Sequence, residues 1–203
     1  MGNIFTKFSF EQAVASLTNH SMVFSDVLTE SRDYSNAGPL QKTIFLSHSH
    51  LDAKYVNMAR TFFESLGVYI YVDWADKTMP QSPCGTTALK IKEKIKQNNK
   101  FVLLATNNAI SSKWCNWEVG IGDTYKYYKD DIAILPLADT SSSWNGNEYL
   151  QIYPYISGPD SSIWDYTPSK YSVHYPDGRN MSLVSWLSKL FFRDTFLSSS
   201  SKV

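Results

Sequence analysis

Thr43-Ile44-Phe45-Leu46 is a short β-branched and aromatic run that stops abruptly at Ser47. Bounded by polar residues, it has the form of a strand buried on both faces of a parallel sheet. From Leu51 to Leu66 the apolar residues Tyr55, Val56, Ala59, Phe62, Phe63 and Leu66 keep a helical period, and Gly67 supplies the stop. The pattern then repeats. Val68-Tyr69-Ile70-Tyr71-Val72 is a second strand, Asp73 to Gly85 a polar loop with Pro and Gly, and Thr87 to Gln97 a helix with Ala88, Ile91 and Ile95 inward. Phe101-Val102-Leu103-Leu104-Ala105 is a third strand. Ser111 or Ser112 caps a helix through Trp114, Glu118, Ile121 and Tyr125, and residues 132–137 give a fourth strand. Strands alternating with helices predict an α/β, doubly wound parallel sheet. In such sheets ligands bind beyond the carboxyl ends of the strands, where the loops at Ser47, Asp73 and Thr106 converge.

This core, residues 42–137, is flanked on both sides. Residues 9–30 read as an N-terminal helical extension, with Ser9 and Gln12 as a capping box and Phe10, Val14 and Leu17 at helical spacing. The Ser, Asn, Gly and Pro residues of 31–41 form a linker, so residues 1–41 stand apart from a domain spanning 42–193. Residues 138–180 are an aromatic insertion of weak pattern, with a possible hairpin or strand at 171–175 and a turn at Asp177-Gly178. Leu183, Trp186, Leu187 and Leu190 predict a final helix over 181–193, and the Ser-rich residues 194–203 a disordered tail.

Composition bounds the function. Lys plus Arg and Asp plus Glu balance at 19 each, so no net field draws the protein to nucleic acid or an anionic membrane. The longest apolar runs fall far short of the roughly 20 residues that span a bilayer. The N-terminus carries no secretory pattern, and Cys84 and Cys115 are the only cysteines, which predicts a cytoplasmic, reduced protein. Met1-Gly2-Asn3-Ile4-Phe5-Thr6 fits the myristoylation pattern, but no polybasic segment accompanies it, and it is read as a chance match. His20, His48, His50 and His174 show no zinc-like spacing, so no metal is assigned.

Trp114 and Glu118 are four apart and share a helix face. From spacing alone Glu118 is a surface residue near a helix start, with Trp114 in the core. Three ordered segments alter that reading: Ile44-Phe45-Leu46-Ser47-His48-Ser49 with Asp52, then Val72-Asp73-Trp74, then Ser112-Lys113-Trp114-Cys115 with Glu118. Together they resemble a TIR (Toll/interleukin-1 receptor) domain of flavodoxin-like fold. The freestanding bacterial antiphage proteins of the Thoeris type are the most similar group. The resemblance implies NAD⁺ glycohydrolase chemistry with NAD⁺ as substrate and no separate cofactor. It implies that Glu118 is the catalytic carboxylate, ionised to stabilise an oxocarbenium-like transition state, by analogy with glycoside hydrolysis.

On that reading Ser47 and His48 line the nucleotide crevice, Asp73 and Trp74 border its second loop, and Trp74 and Trp114 offer stacking faces. Cys115 reads as a packing residue, and His50 stays outside the catalytic set. The loop from Ala75 to Gly85 corresponds to the family's BB loop, which implies homo-oligomerisation on activation. A separate effector protein would read the nucleotide signal, and a phage-derived trigger would start it. Two rival readings are a non-enzymatic TIR scaffold and a flavin- or phosphate-binding domain, the latter disfavoured because no Gly-rich loop follows the first strand.

Overall fold

The computed structural model describes residues 4–23, 42–76, 78–79, 84–140, 144, 146–159 and 170–189. In chain order these form β1 (Phe5–Thr6), α1 (Lys7–Val23), β2 (Thr43–Ser47), α2 (Ala53–Ser65), β3 (Tyr69–Tyr71), α3 (Gly85–Gln97) and β4 (Lys100–Ala105). Then follow α4 (Asn107–Ser111), α5 (Lys113–Lys126), β5 (Ile132–Ala138), β6 (Tyr155–Ser157), β7 (Ser172–His174), β8 (Asn180–Ser182) and α6 (Leu183–Ser188). The linker at 31–41, the tail at 194–203 and the far end of the expected final helix lie outside the described residues.

The sheet runs β3-β2-β4-β5-β6-β7-β8, with β1 paired to β5. The pairs β2–β3, β2–β4, β4–β5, β5–β6 and β1–β5 are parallel, and β6–β7–β8 is antiparallel. The four expected strands are therefore joined by two further parallel strands, β1 and β6, and by the β7–β8 hairpin across Asp177-Gly178. There Gly178 takes φ +87°, and Tyr175 N–H donates to the Arg179 carbonyl at 2.9 Å.

The two-residue period of a strand decides which helix each side chain meets. Ile44, Leu46, Val102, Leu104, Ala133 and Leu135 face one layer, with α1 (Phe10, Ala13, Val14), α2 (Val56, Ala59, Phe62, Phe63) and α6 (Leu183, Trp186). Phe45, Phe101, Leu103, Ile132 and Ile134 face the other, with α3 (Ile91, Ile95) and α5 (Cys115, Val119). Burying one such Phe or Leu side chain contributes about 1.5–3 kcal/mol.

Helix ends follow local chemistry, with one shift from expectation. Ser9 and Gln12 do not form the first capping box. Thr6 and Ser9 do, with Thr6 N–H donating to Ser9 Oγ at 2.9 Å and Ser9 N–H to Thr6 Oγ1 at 3.0 Å, so α1 begins three residues earlier. β1 fixes Thr6 beside β5, and that pairing sets the start. Gly67, at φ +80°, follows α2, as expected of a left-handed stop. Ser112 caps α5 by accepting from Cys115 N–H at 3.3 Å, while residues 107–111 form a separate short helix capped by Thr106.

Candidate active site

The site begins with the period of β2. Ser47 follows Phe45 by two residues and so faces α5, which covers that layer. Glu118 lies on α5, and Ser47 Oγ sits 2.6 Å from Glu118 Oε2. The surface position that helical spacing suggests for Glu118 is incorrect: the residue is 6% exposed, whereas Trp114 is 39% exposed. The first turn of α5 projects past the sheet, so Trp114 reaches solvent while Glu118, one turn on, lies over the strand ends.

Burial pushes the Glu118 carboxyl from its ordinary 4.5 up to about 8. The Ser47 hydrogen bond opposes this shift, and the Asp73 charge adds to it. In the protein alone Glu118 is thus mainly a neutral acid at pH 7, and the ionised carboxylate expected for the chemistry needs a positive charge brought beside it.

His48, next to Ser47, turns to the other side of the strand end. Its Nδ1 lies 2.8 Å from the Leu46 carbonyl and its Nε2 lies 3.3 Å from Asp73 Oδ1. Burial holds the imidazole below its usual value, against the pull of Asp73. Trp74 sets its ring edge-on to His48 with centroids 4.6 Å apart, and the Trp74 backbone N–H donates to Asp73 Oδ1 at 2.8 Å. His50, exposed, brings Nε2 to 3.9 Å from Asp73 Oδ2. His48, His50 and Asp73 thereby gather three ligand atoms within 4.8 Å of one another, enough to hold a metal ion. Sequence spacing missed this trio because Asp73 comes from a different strand end.

Ser47, His48, Asp73 and Trp74 are therefore brought together, with Glu118 behind Ser47. Trp114 pairs instead with Trp117, edge to face at 5.5 Å, on the exposed start of α5. Cys115 is buried, and burial pushes its thiol up to about 11, which leaves it a poor nucleophile and suits packing.

Asp52 is a further site residue with no role read from the sequence. It is 4% exposed and accepts from Thr106 Oγ1 at 2.5 Å and Asn108 Nδ2 at 2.8 Å. It ties the loop after β2 to the loop after β4. A signal was present: Asp52 stands four residues before Val56, on the apolar stripe of α2, where a carboxylate requires partners. Trp144 Nε1 donates to the Ala105 carbonyl at 3.0 Å, so the aromatic insertion caps the end of β4.

At the start of the loop from Ala75 to Gly85, burial of Asp76 is outweighed by hydrogen bonds from Thr78 and Tyr71 and by Lys94, which hold it at about 2. Residues 77 and 80–83, including both loop prolines, lie outside the described residues, and Cys84 with Gly85 already begins α3.

The chain is 33% identical over 150 residues to the "Probable 3' cyclic ADP-D-ribose synthase ThsB'" of Bacillus cereus (strain MSX-D12), covering 72% of this chain and 75% of that protein. It is 28% identical over 79 residues to the "Putative cyclic ADP-D-ribose synthase TIR2" of Cytobacillus dafuensis, covering 37% of this chain and 21% of that one. Residues 44–158 match the TIR domain family, spanning β2 through β6. The chain belongs to the TIR domain family.

Proposed function

We propose that the protein is a TIR NAD⁺ glycohydrolase that cleaves the nicotinamide–ribose bond and yields a cyclic ADP-D-ribose signal in bacterial antiviral defence. The observation that carries this reading is the buried Glu118–Ser47 pair at the carboxyl ends of the parallel strands. The relatives' names supply the product class. NAD⁺ carries a positive nicotinamide ring, and that charge favours the ionised form of a carboxyl that burial otherwise keeps protonated. As the C–N bond breaks, neutral nicotinamide leaves and positive charge moves to the ribose, where the Glu118 carboxylate stabilises it. A hydroxyl of the adenosine ribose then bonds to the anomeric carbon and releases its proton, closing the ring. Ser47 holds the carboxylate. His48, Asp73 and Trp74 bind the nucleotide at the crevice mouth, and Trp114 is a rim contact.

No separate cofactor enters this scheme. The protein acts in the cytoplasm as part of a Thoeris-type system: a phage-derived trigger promotes assembly through the loop from Ala75 to Gly85, and a separate effector reads the product. Chromatography of NAD⁺ and its products tests the chemistry. Glu118→Gln keeps the side-chain shape but carries no charge, and is expected to lose about 100-fold or more in turnover. Equal turnover in the two proteins would remove Glu118 from the mechanism, and mass spectrometry of the product distinguishes cyclic from linear ADP-ribose. NAD⁺ left intact by concentrated, assembled wild type would favour a scaffold.

A further inference from the structure

At the crevice mouth His48 and Asp73, which the proposed function gives to the nucleotide, converge with His50 in an arrangement that nucleotide binding does not require. A carbonyl oxygen only accepts, so the 2.8 Å contact between His48 Nδ1 and the Leu46 carbonyl places the ring proton on Nδ1. His48 Nε2 then carries a bare lone pair. It is buried, makes no hydrogen bond among the described residues, and lies 3.3 Å from Asp73 Oδ1 but off the line of a direct N–H···O contact. Two acceptors facing each other at that distance repel unless something positive lies between them. The other oxygen of the same carboxylate faces a second imidazole nitrogen, His50 Nε2, at 3.9 Å. A proton on Nε2 would not complete a hydrogen bond to Asp73 in this geometry, and it gives no reason for the second imidazole to converge.

We propose that His48, His50 and Asp73 form a three-ligand site for a divalent first-row transition metal, with zinc the ion of best fit. Two imidazoles and one carboxylate are a borderline-soft donor set, suited to zinc rather than to magnesium or calcium, which prefer oxygen cages. Tetrahedral coordination with bonds of about 2.05 Å separates ligand atoms by roughly 3.3 Å. The His48–Asp73 pair already has that spacing. The His50 nitrogen, within 4.8 Å of the other two ligand atoms and on an exposed side chain, must close in to complete the set. The Nδ1–H to Leu46 carbonyl contact is the outer hydrogen bond that orients metal-binding histidines and fixes the tautomer. The fourth position faces the crevice. Because Asp73 opens the 3-10 turn Asp73–Ala75, the ion would join the end of β2 to the start of the loop toward Gly85. This site does not depend on the proposed NAD⁺ cleavage.

The test uses untagged, chelator-stripped full-length protein titrated with zinc chloride by calorimetry, with cobalt(II) chloride followed by visible absorption. Wild type is expected to bind one equivalent of zinc with a dissociation constant near or below about 10 μM. Cobalt should give the intense d–d bands of a four- or five-coordinate ion. His50→Ala removes an exposed ligand without touching the core and should weaken zinc binding about 100-fold; Asp73→Asn should do the same. Circular dichroism checks that both variants are folded. Binding of unchanged affinity in both variants would place the metal elsewhere and overturn the assignment. So would wild type that shows no saturable zinc binding below about 1 mM.

Discussion

Glu118 and Ser47 link protonation to both stability and turnover. A carboxyl whose folded value rises from 4.5 to about 8 holds its proton in the native state over a range where the unfolded chain has lost it. Its favourable contribution is therefore complete below about 4.5 and is lost as pH rises through about 8. Glu118→Gln removes this dependence. Thermal unfolding should find the variant gaining on wild type between about pH 5 and pH 9, by an amount on the order of a few kcal/mol. A difference that does not change with pH would mean that Glu118 titrates normally. In turnover, kcat/KM should climb toward a plateau near the raised value, as the ionised form becomes available. Ser47→Ala deletes the hydrogen bond that opposes the shift, so its rising limb should move to higher pH, a displacement that a purely packing role would not cause. Periodicity alone could not find this residue. Helical spacing locates a face, but whether that face looks at water or at strand ends depends on where the helix starts relative to the sheet, and ordered motifs carried that information instead.

Helix α5 contains a matched pair of glycines that separates backbone propensity from packing. Gly120 is exposed, and a Cβ there would meet nothing within 4 Å. Gly122 is buried, and a Cβ there would lie 3.0 Å from the Phe101 ring, which is itself fully buried and stacked on Phe45 at 5.7 Å. Gly120→Ala should stabilise by about 0.5–1 kcal/mol, through helix propensity alone. Gly122→Ala has the same propensity gain but forces the ring from its stack, and should destabilise by about 1–3 kcal/mol. Chemical denaturation of both gives the signs, and two stabilised variants would mean that α5 sits further from β4 than described. The four central strands were legible because each is a short apolar run ended by a polar residue. The short strands β1 and β6 were not, because two or three residues hold no period. Tyr155 joins the sheet only because β5 offers an edge at Ile134, and Phe5 because the same strand offers one at Leu137.

Across the whole molecule, the question is whether the N-terminal helix is an appendage or part of the cooperative unit. Its sequence reads as an extension before a linker, since periodicity reveals an apolar face but not what that face covers. In the structure Phe10 is fully buried, with its ring 5.3 Å from Phe5 and 5.7 Å from Phe62 of α2. Phe5 in turn stacks on Tyr171 at 6.2 Å, and Phe62 meets Tyr171 edge-on at 4.9 Å. One aromatic cluster thus joins the N-terminal segment, α2 and the residue that leads into β7, three parts of the chain far apart in sequence. Phe10→Ala removes a ring at its centre and should cost about 3–5 kcal/mol. None of the chain's tryptophans lies before Trp74, so tryptophan fluorescence reports on regions outside α1, while far-UV circular dichroism reports on every helix. If the molecule unfolds as one unit, Phe10→Ala shifts the urea midpoint by both probes together. A fluorescence midpoint left at the wild-type value, with early loss of a fraction of the helical signal, would show α1 melting alone and reduce it to an attachment on an otherwise independent sheet.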